Sequence, residues 1–242
     1  MGSNGRMSNA SFWLGLGLLA ASSLHRVAAV DQVVDAQLVE ATMNAPTRLE
    51  RLKLYPDDNA TVFDFHEQPN YSWEPGSVVN ANRATFPYAT GNGMTMALLS
   101  LGPCSMLPPH FHPRATNFVM AINGTTDTYM IEENGARTVR ARLDAGKCTI
   151  FPAASIHTME NTGCEYTQLV SALNSEDSGT HNLANALFQS LPSWIAMAAM
   201  GYNDDGSDKL NATAGSVPPV GFGSIYGRKE CLDKCRKAGY KV

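Results

Sequence analysis

Between residues 94 and 173 the chain is cut into short runs of apolar and β-branched residues, each bounded by Gly, Asn, Asp or Pro. No other feature constrains the fold as much. M-T-M-A-L-L-S-L at 94–101, N-F-V-M-A-I at 117–122, T-D-T-Y-M-I at 126–131 and R-T-V-R-A-R-L at 137–143 have strand character, as do C-T-I-F at 148–151, I-H-T-M-E-N at 156–161 and Y-T-Q-L-V-S-A-L at 166–173. Glu133-Asn134-Gly135 and Asp144-Ala145-Gly146 supply turns between them. Strands this closely spaced predict an antiparallel sandwich or barrel, not an alternation of strand and helix. R-A-T-F-P-Y at 83–88 and T-V-F-D-F at 61–65 read as further strands, and Asn123-Gly124 reads as a two-residue hairpin turn.

Helical periodicity flanks this region. From Asp31 to Ala45, Val34, Leu38 and Ala41 share one face, with Asp31 able to cap the start and Pro46 ending the helix. Beyond residue 180, the runs 181–191 and 194–200 are helical in pattern and separated by Pro192. Residues 201–220 read as a loop, and 224–239 as a short amphipathic helix stopping at Gly239. A hydrophobic content of 44% with 17% charged residues is enough for a full core in one domain, and a net charge of −4 without a long basic run argues against nucleic acid as a partner.

Residues 1–29 carry Arg6, the apolar run F-W-L-G-L-G-L-L-A-A at 12–21 and V-A-A at 27–29, the layout of a secretory signal. The run is short for a bilayer span, so cleavage is expected to leave a secreted chain without stable membrane insertion. The expected organisation is a signal at 1–29, a β-barrel at 30–180 and a helical extension at 181–242. Sequons at Asn59, Asn70, Asn123 and Asn211 fit a glycoprotein. Of the five cysteines, Cys104 with Cys164 or Cys231 with Cys235 are expected to pair, and Cys148, in a strand, to remain a buried free thiol.

Candidate chemistry lies in two runs, P-P-H-F-H-P-R-A-T-N at 108–117 and G-K-C-T-I-F-P-A-A-S-I-H-T-M-E-N at 146–161. His110 and His112 alternate, so in an extended chain their imidazoles share a face, and His157 arrives on a later strand. Three converging imidazoles suit a divalent ion such as Zn, Mn, Fe, Cu or Ni. Asn117 shares their face, either as a weak ligand or as a substrate-binding amide. Asp127 and Tyr129 are candidates for a general acid or base if they face the lumen, and otherwise are polar groups near a hairpin tip. Arg114 either steers a carboxylate at the mouth or is a surface residue. Glu160 is turned away from the histidine face by alternation.

These runs resemble the two motifs of the cupin superfamily, in its germin-like and spherulin-type secreted branch. The first, H-x-H with an acidic residue five positions on and a Gly seven further, is matched by His110, His112, position 117 and Gly124. The second, G-x5-P-x-G-x2-H-x3-N, is matched by Gly146, Pro152, His157 and Asn161. Three positions depart: Asn117 stands where the family carries its glutamate ligand, Ala154 where the second motif has Gly, and Cys104 where a Gly opens the first. The resemblance implies a single jelly-roll β-barrel with an N-terminal helix and C-terminal helices that pack against a neighbour in a homo-oligomer. It also implies manganese chemistry, as in oxalate oxidation or superoxide dismutation, but Asn117 removes the anionic ligand that such redox cycling uses. Two classes of function follow: a metal-dependent enzyme acting on a small organic molecule by cyclisation, isomerisation, lyase chemistry or oxygenation, or a non-catalytic secreted glycoprotein for storage, stress or cell-wall binding.

Overall fold

The computed structural model describes residues 31–202, 207–219 and 223–242, and the side chains of 207–211 lie outside that description, as do the segment read as a secretory signal and the sequon at Asn211. In chain order the strands are β1 (Gly76–Ala81), β2 (Thr95–Leu101), β3 (Ser105–Met106), β4 (His110–Phe111), β5 (Asn117–Asn123) and β6 (Thr125–Ile131), then β7 (Val139–Asp144), β8 (Cys148–Phe151), β9 (Ile156–Glu160), β10 (Thr167–Leu173), β11 (His181–Asn182) and β12 (Ile225–Tyr226). The helices are α1 (Ala36–Asn44), α2 (Arg48–Lys53), α3 (Leu183–Asn185), α4 (Ser193–Ala199), α5 (Ser207–Ser216) and α6 (Lys229–Lys237). No helix among the described residues is long and apolar enough to cross a membrane.

Two antiparallel sheets oppose each other. One runs β1-β2-β10-β5-β8; the other runs β11-β4-β9-β3-β12, with β6 joining β9 to β7. Consecutive strands hop between the sheets, β2 to β3, β5 to β6, β7 to β8 and β9 to β10, which is a jelly roll. Inward residues of both sheets, among them Leu101, Val119, Phe151, Met159 and Leu169, are sealed from water. Each such side chain stabilises the fold by about 1.5–3 kcal/mol relative to exposure.

The hop from β5 to β6 corrects one expectation. Asn123-Gly124 is not a two-residue hairpin turn, because β5 pairs with β10 and β8 whereas β6 pairs with β9 and β7. It is a corner between sheets, with Gly124 at φ 69° and room for no side chain beside Thr167. The corner also shifts the alternation by one residue: Asn117, Val119 and Ala121 point inward on β5, but Thr126, Thr128 and Met130 do so on β6.

Other local readings change too. α1 is capped by Asp35, whose carboxylate accepts from the Leu38 amide, while Asp31 accepts from the Asn80 and Asn82 side-chain amides. Residues 62–65 and 83–86 are not strands; Phe63 packs edge-on against Phe65 and tilted against Phe86, an aromatic cluster that holds loops. β1, with its weak G-S-V-V-N-A text, is a strand because β2 supplies its ladder. Part of 201–220 is helical as α5, and the C-terminal segment contributes β11 and β12 to the barrel as well as helices.

The disulfides are Cys104–Cys231 and Cys164–Cys235, which corrects both expected pairings. Cys231 and Cys235 are four apart on α6, so their side chains project side by side toward the barrel. Each meets a different barrel cysteine, and α6 is clamped by both. Cys148 is free as expected, but it lies on the outer side of β8 and is exposed.

The two positions where the family text has Gly, Cys104 and Ala154, are the two non-glycine residues in the left-handed region among those described, at φ 55° and 65°. Both positions hold a turn conformation that glycine adopts without steric cost. The strained conformation costs roughly 1–2 kcal/mol for a residue with a Cβ. Ala154→Gly is therefore expected to raise unfolding stability by about 1 kcal/mol in chemical denaturation; a loss of stability would show that the turn is not strained.

Candidate metal centre

β4 and β9 are neighbours in register, His110 opposite His157, so their side chains emerge on the same inner face. His112 lies two residues beyond His110, just past β4. The ring centroids are 4.4 Å apart for His110 and His157, 5.2 Å for His110 and His112, and 5.3 Å for His112 and His157. One donor atom from each ring lies within 4.8 Å of the other two.

Each ring is oriented by the backbone. His110 Nδ1 is 2.8 Å from the Pro108 carbonyl, His112 Nδ1 is 2.7 Å from that of Gly179, and His157 Nδ1 is 2.9 Å from that of Ser155. A carbonyl only accepts, so each Nδ1 carries the proton and each Nε2 keeps its lone pair. Phe151 stacks on His157 with centroids 4.3 Å apart and planes 9° apart, fixing that ring from behind. Asn117 is the register partner of Phe151, which brings its amide beside the trio.

Burial keeps the rings neutral. Desolvation, reinforced by the imidazoles of His157 and His112, holds His110 well below its usual 6.5. Desolvation lowers His157 to about 4. It also lowers His112, against the opposing pull of the Gly179 carbonyl and the Asp31 carboxylate.

Among the described residues three buried polar atoms in this region have no hydrogen-bond partner: the Ser171 hydroxyl oxygen and, at the trio itself, Nε2 of His157 and Oδ1 of Asn117. The two at the trio are lone-pair donors, and burying either without a partner costs roughly 1–3 kcal/mol. Three imidazole nitrogens and an amide oxygen, two of them otherwise orphaned, fit a divalent cation of borderline character. His110, His112 and His157 are the residues that would hold it, with Asn117 as a weak neutral oxygen donor. Carbonyl-anchored Nδ1 atoms are the usual support for metal-binding histidines.

The centre opens into a cavity of about 60 Å³ between the sheets, several times what one water needs. Its polar lining includes Asn80 on β1, Asn117 on β5, Ser171 on β10 and Asn182 on β11, the register partner of His110. Its apolar lining includes Val78, Leu99, Leu107 and Met159. Among the described residues no Asp, Glu, Lys or Arg side chain lines it. Asp31 sits one layer back, bonded to the Asn80 amide, with burial pushing its carboxyl up against the lowering effect of Asn80 and Asn82.

Not every expected residue reaches the site. Asp127 and Tyr129 are on the outer face of β6, because the shift at Gly124 turns Thr126, Thr128 and Met130 inward instead. Asp127 is held by two bonds from Arg142, both 2.7 Å, and that guanidinium keeps its carboxyl below the usual range. The structure places both on the side of β6 away from the trio. Arg114 is bound to Asp177, its Nε donating to the carbonyl and a terminal nitrogen to the carboxylate. Glu160 points away from the histidines, as expected, and accepts from Arg228 at 2.9 Å. Asn161 is structural, its amide donating to the carbonyls of Leu101, Gly102 and Glu165. The reading of the sequence missed Asn80, Ser171 and Asn182, because their place depends on strand register, for which local text has no signal.

The sequence profile of the cupin family matches residues 64–201, more than half of the chain. Over 211 residues the chain is 31% identical to Spherulin-1B of Physarum polycephalum, spanning 86% of this chain and 82% of that protein. It is 35% identical over 118 residues to germin-like protein 5-1 of Oryza sativa subsp. japonica, spanning 48% of this chain and 53% of that one. Among solved structures, a recombinant oxalate oxidase in complex with glycolate aligns with a TM-score of 0.58 at 20% identity, over 66% of this chain and 82% of its own. At that identity the likeness speaks for the fold alone.

Proposed function

This chain belongs to the cupin family, and from that premise we propose that it is a secreted, metal-dependent enzyme that acts on a small, oxygen-bearing organic molecule by non-redox chemistry. The carrying observation is the pair of orphaned atoms, His157 Nε2 and Asn117 Oδ1, beside two further imidazoles whose Nε2 lone pairs the backbone has freed. A divalent ion held there supplies Lewis acidity, polarising a carbonyl or acidifying a bound water. With an amide at position 117 the protein ligands carry no charge, so the site keeps the full electrophilicity of the ion, and the anionic donor that assists manganese redox cycling is absent. Asn80, Asn182 and the Ser171 hydroxyl offer neutral hydrogen bonds for orienting hydroxyl or carbonyl groups, and the apolar wall of Val78, Leu99 and Met159 limits water around the substrate. Cyclisation, isomerisation or elimination are the reaction types this arrangement favours. Two disulfides support an oxidising, secretory destination.

Elemental analysis of the chain purified from metal-replete medium tests the reading. It is expected to carry about one divalent ion per chain; a chain that stays metal-free favours a non-catalytic storage or wall protein. Asn117→Glu is expected to tighten metal binding by roughly 10–100-fold and shift preference toward Mn²⁺, read by competitive titration. Unchanged affinity and selectivity would count against the role given to Asn117. Dioxygen consumption during turnover would replace Lewis-acid chemistry with oxygenation.

A further inference from the structure

Both disulfides start from one helix and end close together. Cys231 and Cys235 on α6 reach Cys104, between β2 and β3, and Cys164, in the loop after β9. The bridges touch: Sγ of Cys104 lies 3.4 Å from Sγ of Cys235, which belongs to the other bridge. The sulfurs of Cys104, Cys231 and Cys235 are all within 4.8 Å of one another, and that of Cys164 is bonded to Cys235. Two bridges could pin a helix without their sulfurs meeting. None of the four residues lines the cavity of the histidine centre.

Relieved of their mutual bonds, these sulfurs have the layout of a tetrahedral thiolate site. Zn–S bonds of ~2.3 Å set the sulfurs of such a site about 3.8 Å apart. The contact of 3.4 Å between Cys104 and Cys235 is already close to that. The bridged pairs have Cα separations of 5.7 and 5.4 Å, so side-chain rotation is enough to open each sulfur pair to the same spacing. C-x3-C on α6 falls within the usual spacing of zinc ligands. Cys104 and Cys235 are sealed from water, whereas Cys164 and Cys231 are half-buried and leave a way in. Cys231 stands in the first turn of α6, where no side chain caps the helix, and the positive end of the helix favours a thiolate there. Four basic residues against two acidic ones on α6 offset the negative charge that four thiolates bring.

We propose that Cys104, Cys164, Cys231 and Cys235 hold a Zn²⁺ ion when the chain is reduced, so that α6 is clamped to the barrel by metal in the thiol form and by two disulfides in the oxidised form. Reduction by a dithiol is balanced: two dithiols become two disulfides, the two S–S bonds break, and four protein thiols result. Zn²⁺ then displaces the four protons and forms four Zn–S bonds. A disulfide oxidant takes the four electrons back and expels the ion, since a bridged sulfur has no thiolate charge with which to hold it. Thiolates select zinc, so this site differs in metal preference from one built of imidazole and amide.

The test reduces the purified full chain with a dithiol, removes the dithiol by gel filtration without oxygen, and titrates with Co²⁺. Thiolate-to-cobalt charge transfer in the near ultraviolet reports sulfur ligands alone, which separates this site from the histidine centre. About one Co²⁺ per reduced chain is expected to give that absorption with tetrahedral ligand-field bands, and Zn²⁺ to displace it. The oxidised chain is expected to show none. Cys164→Ser and Cys235→Ser are expected to weaken Zn²⁺ binding by the reduced chain more than ~100-fold. Cys148→Ser and His157→Ala are expected to leave the absorption unchanged. No sulfur absorption in the reduced wild type overturns the proposal. So does affinity that survives either the barrel or the helix serine variant, or absorption lost in Cys148→Ser or His157→Ala. If the reduced chain unfolds without metal, Zn²⁺ is expected to restore its circular dichroism and slow amide exchange across α6 in the wild type and in neither Cys164→Ser nor Cys235→Ser. Failure of Zn²⁺ to do so overturns the proposal.

Discussion

Chains carrying His157→Ala are expected to emerge from metal-replete medium without bound ion and to bind divalent metal more than ~100-fold more weakly, since loss of a supporting hydrogen bond alone costs a metal site 10–100-fold. His157 is the test residue because its Nε2 is buried without a partner, its ring is stacked on Phe151 and its Nδ1 is anchored by the Ser155 carbonyl. The same substitution should change the acid response of the metal-free protein. Burial lowers His157 to about 4 while the unfolded chain titrates near 6.5, so the unfolded state takes up the proton first. The stability contributed by the neutral ring is complete above about pH 6.5 and is lost progressively as pH falls toward 4. Across that gap, at ~1.4 kcal/mol per pH unit, about 3 kcal/mol is lost. Denaturation of apo wild type and apo His157→Ala at pH 7 and pH 4 measures the difference. Equal losses in both chains, or unchanged metal content in the variant, would remove His157 from the centre.

The second large effect is expected from Cys231→Ser combined with Cys235→Ser. The two bridges close separations of 127 and 71 residues, and in the loop-entropy picture each contributes about 4–5 kcal/mol, with native disulfides delivering about 2–5. A domain has only about 5–15 kcal/mol in total. The double variant is therefore expected to melt more than ~10 °C lower. It should also show fast amide exchange across α6, where the Arg228–Glu160 and Tyr240–Glu165 contacts remain as non-covalent anchors. Slow exchange at α6 and an unchanged melting point would mean that packing, and not the bridges, holds that helix.

Legibility in the sequence followed how local the cause was. β8, β9 and β10 were readable because alternation and flanking turns agree with burial on one side. His110, His112 and His157 were readable because spacing within each motif puts the rings on one face once two short strands pair. For Asp127 and Tyr129 the sequence leaves both faces open, because the Gly124 corner sets which side of β6 looks inward and no composition signal marks that shift. T-V-F-D-F alternates like a strand, but its phenylalanines pack on one another and on Phe86. The disulfides depended on where α6 docks, a long-range outcome that residue spacing does not encode.

The anchor of His112 differs from those of its two companions. Pro108 and Ser155 sit only two residues from the rings they hold, whereas Gly179 belongs to a distant loop whose neighbour Asp177 is gripped by Arg83 and Arg114 at the protein surface. Electrolyte weakens such exposed pairs and leaves short-range backbone clamps untouched. His112 is thereby the one finger of the grip whose firmness varies with the saltiness of its surroundings.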